Sequence, residues 1–390
     1  MTGLGTLFVS IGAIFLASLA IDYLGRRTWL PRVTLLLLFG LLIGPSGLNL
    51  LTADSQQWFP LMTDIALLMV GFLIGGNLSK RNFEQYGRLV LSVSLFESTL
   101  TALLVLIGLL FMDVDLAVAL MLAGIATATA PAATVAVVDE IKARGVFTQT
   151  LLGIVAIDDV WGLVVFSVFL SAAAVYVGDG ASAAPILMGL WDVFGAILVG
   201  MLLGVPAAYL TGRVRTGEPT LIEAIGVIFL CGGVAIFLEV SILLAVVAMG
   251  ATIINLASHH NRPFHAIEHI EWPFMILFFV LAGASLHADA LLHIGLLGMA
   301  YILLRAAGKI LGAWVGATIS RAPAPVRTWT GIALMPQAGV AMGMALVASQ
   351  RFPESAETIL TVVIGAIVVF ELLGPILTRI ALTRSGDVTE

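Results

Sequence analysis

Thirteen apolar stretches separated by short polar connections set the rhythm of this chain. They lie near 5–24, 31–51, 60–78, 88–112, 115–138, 147–177, 186–211, 219–238, 241–256, 268–286, 290–318, 328–349 and 356–380. Most are apolar on every side, so a helix built from them has no stripe to turn toward water. A helix needs about 20 predominantly apolar residues to cross hydrocarbon, and nearly all the runs supply them. The stretch at 241–256 is short, and 219–256 is where neighbouring runs are hardest to divide. The pattern predicts an all-α polytopic membrane protein with 13 transmembrane helices.

The eighteen Lys and Arg residues test that number. Fifteen fall in alternate connections or near the C-terminal end, in clusters that open with Arg26, Arg27 and Arg32 and close with Arg379 and Arg384. The intervening connections hold only Arg351, while Arg305 and Lys309 lie inside a run. Cytoplasmic loops collect Lys and Arg, so the N-terminus is expected outside and the C-terminus inside. One span more or fewer would destroy the alternation.

Composition agrees. Of 390 residues, 60% are hydrophobic and 11% charged, against about 25% charged in soluble domains. The net charge of −6 says less than the placement of the charges. The single cysteine, Cys231, sits in an apolar run and reads as a small apolar filler. No basic region or cleavage motif precedes the first run, which is expected to be retained as a span. There is no phosphate loop, no nucleophile elbow and no basic stripe for nucleic acid, so neither an enzyme nor a nucleic-acid partner is expected.

Two runs are interrupted. The fifth contains Thr127-Ala-Thr129-Ala-Pro131-Ala-Ala-Thr134 and the twelfth Gly331-Ile-Ala-Leu-Met-Pro336-Gln337-Ala-Gly339. Proline removes a backbone donor and clashes with the preceding turn. Backbone freed at that depth is tolerated only against protein or a watery cavity. The two runs are seven apart, an odd offset that makes paired spans antiparallel. On the same offset the sixth run, with Asp158 and Asp159, pairs with the thirteenth, with Glu371. The fourth, with Glu97, pairs with the eleventh, with Arg305 and Lys309. This predicts two inverted six-helix repeats with discontinuous crossing helices, joined by the seventh run. Interrupted spans at matching positions of two halves point to a transporter's binding site.

The chemistry centres on Asp158 and Asp159, about eleven residues into the sixth run. One carboxylate near mid-membrane costs at least about 2.5–3.5 kcal/mol on insertion scales. Two must take up protons, bind a cation or face a buried ammonium. Adjacent positions are about 100° apart on a helix, so both carboxylates can face one cavity. Lys309 is the candidate titrating partner and Arg305, four residues earlier on the same face, a fixed charge. Thr127, Thr129 and the carbonyls freed near Pro131 are hard oxygen ligands that suit a small cation such as Na⁺, and Gln337 offers an amide at the other break. Glu97 and Glu371 have no assigned partner and fit helix packing as readily as function. His259, His260, His265 and His269 form a loop cluster in which a proton sensor is the less favoured reading.

These elements, in order, resemble the bacterial Na⁺/H⁺ antiporters of the monovalent cation:proton antiporter superfamily, in the branch related to Kef-type carriers. The resemblance runs from Leu30-Pro31 and Gly44-Pro45-Ser46-Gly47 through Phe72-Leu-Ile-Gly75, Thr129-Ala-Pro131, Asp158-Asp159 and Gly308-Lys309 to Pro336-Gln337-Ala-Gly339 and Glu371-Leu-Leu-Gly374-Pro375. It implies a homodimer in the bacterial inner membrane, with residues 1–80 and 217–287 as dimerisation-domain helices. Residues 81–178 and 288–390 would then form the core domain, and 179–216 the linker helix. It implies that the core slides to give alternating access, that Asp159 is the principal carrier, and that Asp158 is the acid paired with Lys309. Two aspartates with this lysine imply electrogenic exchange of Na⁺ or Li⁺ for protons and a part in pH homeostasis, with no cofactor. Gln337 departs from relatives that carry an acid there. No counterpart of the Kef branch's nucleotide-binding domain is expected, which argues against ligand-gated K⁺ efflux. The alternatives are a K⁺/H⁺ antiporter and a Na⁺-coupled organic anion symporter on a similar scaffold.

Overall fold

The computed structural model describes residues 2–50, 59–177, 184–211, 220–257, 264, 267, 271–286 and 295–388. Among these there are fifteen α-helices, one 3₁₀ turn and no strand. In order they are α1 (Thr2–Arg27), α2 (Arg32–Ile43), α3 (Phe59–Asn77), α4 (Lys80–Leu110), α5 (Leu116–Ile125), α6 (Pro131–Glu140), α7 (Val146–Val177) and α8 (Ala184–Thr211). There follow α9 (Thr220–Phe237), α10 (Ile242–Leu256), α11 (Glu271–Ser285), α12 (Gly295–Ile319), α13 (Ala324–Ala333), α14 (Gly339–Arg351) and α15 (Ala356–Ser385). All six histidines, with Arg213, Arg215 and Arg262, lie outside the described residues.

Six helices are long and apolar enough to cross a bilayer: those containing 8–25, 86–110, 146–177, 190–210, 295–319 and 353–385. Six more are apolar but shorter. One reason is visible in the second run, expected over 31–51, where the helix ends at Ile43. The Gly44-Pro45-Ser46-Gly47 turn reverses the chain there, with the Leu48 amide donating back to the Leu42 carbonyl at 2.7 Å.

Helix α12 shows which solvent surrounds the protein. Its charged residues Arg305 and Lys309 are fully buried, while Leu303 is 65% and Trp314 52% exposed. Charge inward and apolar groups outward inverts the pattern of a soluble helix. Large exposed apolar side chains such as Phe194 and Leu202 on α8 and Phe237 on α9 extend it over other helices. Together with the long apolar helices, this makes the chain a multi-pass membrane protein.

The chain divides into two compact units. One comprises residues 1–80 and 194–286. In it α3 packs on α10 and α2 on α11 at near-backbone distance: a Cβ added at Gly75 would meet the Val247 carbonyl oxygen at 2.3 Å, and one at Gly40 the Val280 carbonyl oxygen at 2.0 Å.

The other unit comprises residues 81–193 and 287–390. Its centre is α5, which is buried from Ala117 to Ile125. Asp115 caps α5 by accepting from the Ala117 and Val118 amides. The helix stops at Ile125, and the chain restarts helically at Pro131, where a proline's missing N–H costs nothing. A matching gap separates α13 from α14. The gaps meet: the Ala130 amide donates to the Pro336 carbonyl at 2.9 Å. Helices α4 and α12 lie side by side, because a Cβ at Gly308, Gly312 or Gly316 would sit 2.6–2.7 Å from backbone atoms of Thr101, Glu97 and Ser92–Val93. Small residues four apart let backbones approach this closely in membranes.

Candidate functional site

Lys309 is the hub of the second unit. Its Nζ lies 2.6 Å from Glu97 Oε1 and 3.3 Å from Asp158 Oδ2, and all three side chains are buried. The same nitrogen donates at 2.8 Å to the Thr127 carbonyl and at 2.8 Å to Thr129 Oγ1. Thr129 Oγ1 in turn donates to Asp158 Oδ2. Ser98 Oγ reaches Asp158 Oδ1 at 3.2 Å and Glu97 Oε2 at 3.3 Å, and Thr101 Oγ1 reaches Glu97 Oε1 at 3.4 Å. Burying charge costs several kcal/mol per ion unless partners satisfy every lone pair and proton. Here α4, α7, α12 and the first break supply them.

Asp159 differs from its neighbour. It is 6% exposed, and its Oδ1 is buried without accepting a hydrogen bond. Gly162, one turn on and therefore on the same helix face, borders the first break: its Cβ would lie 3.2 Å from Thr127 Oγ1. So Asp158 points into a satisfied network, and Asp159 keeps an unmet lone pair on the face that looks onto the break.

Arg305 does not pair with an acid through any described hydrogen bond. Its Nε donates to the Ala126 carbonyl at 3.1 Å, its Nη2 to Ala128 at 2.8 Å and its Nη1 to Met335 at 3.0 Å. Its guanidinium carbon sits 4.2 Å over the Phe370 ring. The first two carbonyls belong to one break and the third to the other. A fixed cation thus satisfies oxygens that the missing helical turns leave open.

Gln337 binds away from the aspartates. Its Nε2 donates to the Ile125 carbonyl at 3.1 Å and to the Tyr301 hydroxyl at 3.3 Å, and its Oε1 is buried without a partner. Thr127 presents its carbonyl to Lys309, and its hydroxyl donates back to the Gly124 carbonyl. Pro131 opens α6, and Pro336 accepts from Ala130. Glu371 is buried on α15, one turn before Gly374, whose Cβ would meet Pro336 Cα at 2.7 Å. Among the described residues no three His, Cys, Asp or Glu side chains form a metal cluster.

Glu97, Ser98 and Thr101 are the members that sequence reasoning left unassigned. The signal was present: Glu97 and Thr101 are four apart, and they face Gly312 and Gly308, also four apart.

A family model described as the transmembrane sodium/hydrogen exchanger matches residues 11–384. The ammonium/H⁺ antiporter subunit AmhT of Alkalihalophilus pseudofirmus is 20% identical over 279 residues, covering 71% of this chain and 70% of that protein. Two solved structures of the sodium proton antiporter MjNhaP1 from Methanocaldococcus jannaschii share the fold. The structure at pH 8 superposes with a TM-score of 0.72 at 19% identity, over 98% of this chain and 99% of that one. The electron-microscopy structure gives a TM-score of 0.76 at 18% identity, over 98% and 96%.

Proposed function

Starting from the fact that this chain belongs to the sodium/hydrogen exchanger family of monovalent cation:proton antiporters, we propose that it is an electrogenic Na⁺(Li⁺)/H⁺ antiporter whose carriers are Asp159 and Asp158. The observation that carries this reading is Asp159 Oδ1, a buried carboxylate oxygen with no hydrogen-bond partner beside a second carboxylate. A buried, unmet acceptor is costly, and either a proton or a small cation would relieve it. Competition for one site is what couples the two flows.

On the cytoplasmic side Na⁺ displaces protons from the pair, and on the outer side protons displace Na⁺. If two protons are exchanged for one Na⁺, each cycle moves one net charge, and the membrane potential contributes about 2.3 kcal/mol per charge per 100 mV. The unit of residues 81–193 and 287–390 carries the site and slides in an elevator-like motion, and the unit of 1–80 and 194–286 forms the homodimer. The protein resides in the bacterial inner membrane with its N-terminus outside, as the distribution of Lys and Arg supports.

The test is Na⁺-driven proton movement in proteoliposomes, with Asp159→Asn as the variant. Loss of exchange supports the reading, and retained exchange sinks it. The name of AmhT supports a second cargo, ammonium, and K⁺ belongs in the same comparison. Titrating Na⁺, Li⁺, K⁺ and ammonium in one assay ranks them.

A further inference from the structure

We propose that Glu97 is the standing counter-ion of Lys309, the anion that keeps the lysine when the transported cation takes Asp158. This rests on the antiport reading above and adds a positioning residue to it. An ammonium has three protons, yet four oxygens lie within 3.3 Å of Lys309 Nζ. One oxygen is therefore in excess. The most distant is Asp158 Oδ2, at 3.3 Å; Glu97 Oε1, at 2.6 Å, is the nearest. Withdrawing Asp158 leaves Lys309 with Glu97, the Thr127 carbonyl and Thr129 Oγ1, three acceptors for three protons.

The two ends of this pair cannot drift apart. Gly312 brings α12 against the backbone of Glu97 itself, where an added Cβ would meet Glu97 Cα at 2.6 Å. Thr101 supports the carboxylate at Oε1, and the single hydroxyl proton of Ser98 lies within reach of both Glu97 and Asp158. Asp158 has other donors, Ser98 and Thr129, and is the mobile member of the triangle. Loading then means that Asp158 exchanges a shared lysine for the cargo, while the lysine's charge stays compensated by Glu97. Without Glu97, Asp158 would be the only carboxylate among the described residues left within salt-bridge distance of the lysine, and a cation taking Asp158 would have to displace the lysine first.

The experiment is a double-mutant cycle in proteoliposomes on Glu97→Gln, Lys309→Gln and the double variant, reading KM for Na⁺ and kcat separately. Glu97→Gln is expected to raise KM about tenfold or more with a smaller change in kcat. Adding Lys309→Gln frees Asp158 and is expected to bring KM back toward the wild-type value. Glu97→Asp, which keeps the charge, gives a smaller shift. A parallel cycle of thermal unfolding in detergent without Na⁺ reads the pair independently of cargo, with Glu97→Gln lowering Tm and the double variant recovering part of the loss. An unchanged KM in Glu97→Gln, or additive KM effects, overturns the proposal even where the Tm values couple, because the pair is then structural only. Wild-type protein that moves no protons on Na⁺ addition overturns the antiport reading and, with it, the loading role; the Tm cycle then shows whether the ion pair itself stands.

Discussion

The Ala130 amide donates to the Pro336 carbonyl at 2.9 Å, which ties one interrupted helix to the other by their backbones. That single bond leaves most of the oxygens around the two breaks unmatched. Arg305 answers three of them at once, and it does so with no solvent exposure.

Replacing Arg305 by Met should therefore be severe. Three buried carbonyls lose their donor, at about 1–3 kcal/mol each where nothing replaces it. Arg305→Lys should rescue little, because a point ammonium lacks the planar fork that reaches carbonyls in separate directions. Thermal unfolding of the detergent-purified variants checks this. A Lys variant as stable as the wild type would show that charge alone suffices.

Thr129 links Lys309 to Asp158, accepting from one and donating to the other. Thr129→Val keeps the shape and removes both bonds. Hydrogen bonds to charged groups are worth about 1.5–3 kcal/mol, so the initial rate of Na⁺-driven proton movement is expected to fall by about tenfold or more. Thr129→Ser retains the hydroxyl and should stay close to wild type. Equal activity of the Val and Ser variants would remove Thr129 from the working network.

These contacts mark where sequence reasoning stopped. The breaks were legible because proline's missing N–H is a local property: Pro131 and Pro336 announce an interruption wherever the helices lie. The aspartate pair was legible because its cost in hydrocarbon does not depend on its neighbours. Partner choice was not local. Lys309 sits closer to Glu97 than to Asp158 because glycines at 308, 312 and 316 let α12 approach α4, and which helix meets that stripe is not written in the stripe itself. Thr127 was not local either: its hydroxyl donates back to the Gly124 carbonyl, and its carbonyl accepts from a lysine far along the chain.

Asp387 acts at a distance from the buried cluster but on the same helix. Its Oδ2 accepts from the Thr148 amide at 2.7 Å and from Thr148 Oγ1 at 2.9 Å, at the start of α7. Its own carbonyl accepts from the Arg144 amide. A carboxylate on first-turn amides is a cap supplied from elsewhere in the chain. Asp387→Ala should cost about 0.5–2 kcal/mol, with faster hydrogen exchange at Thr148 and its neighbours. Protection in the middle of α7, around Asp158, should be unchanged. Uniform loss along the helix would mean that the cap holds the whole helix rather than its first turn.

Gly312 and Gly339 make a controlled pair. A Cβ at Gly312 would lie 2.6 Å from the backbone of Glu97, whereas at Gly339 it would meet nothing within 4 Å. Backbone cannot step aside as a flexible side chain can, so Gly312→Ala must push α12 from α4. Overpacking of this kind typically costs about 1–3 kcal/mol. It also lengthens the Glu97–Lys309 contact, so lost stability should come with a raised KM for Na⁺. Gly339→Ala, at the first position of α14, should leave Tm unchanged or raise it, since alanine favours helix by up to about 1 kcal/mol over glycine. Parallel thermal unfolding and transport of the two variants decide the matter. If Gly312→Ala unfolds and transports like Gly339→Ala, close approach of α4 and α12 is not what holds the lysine to its glutamate.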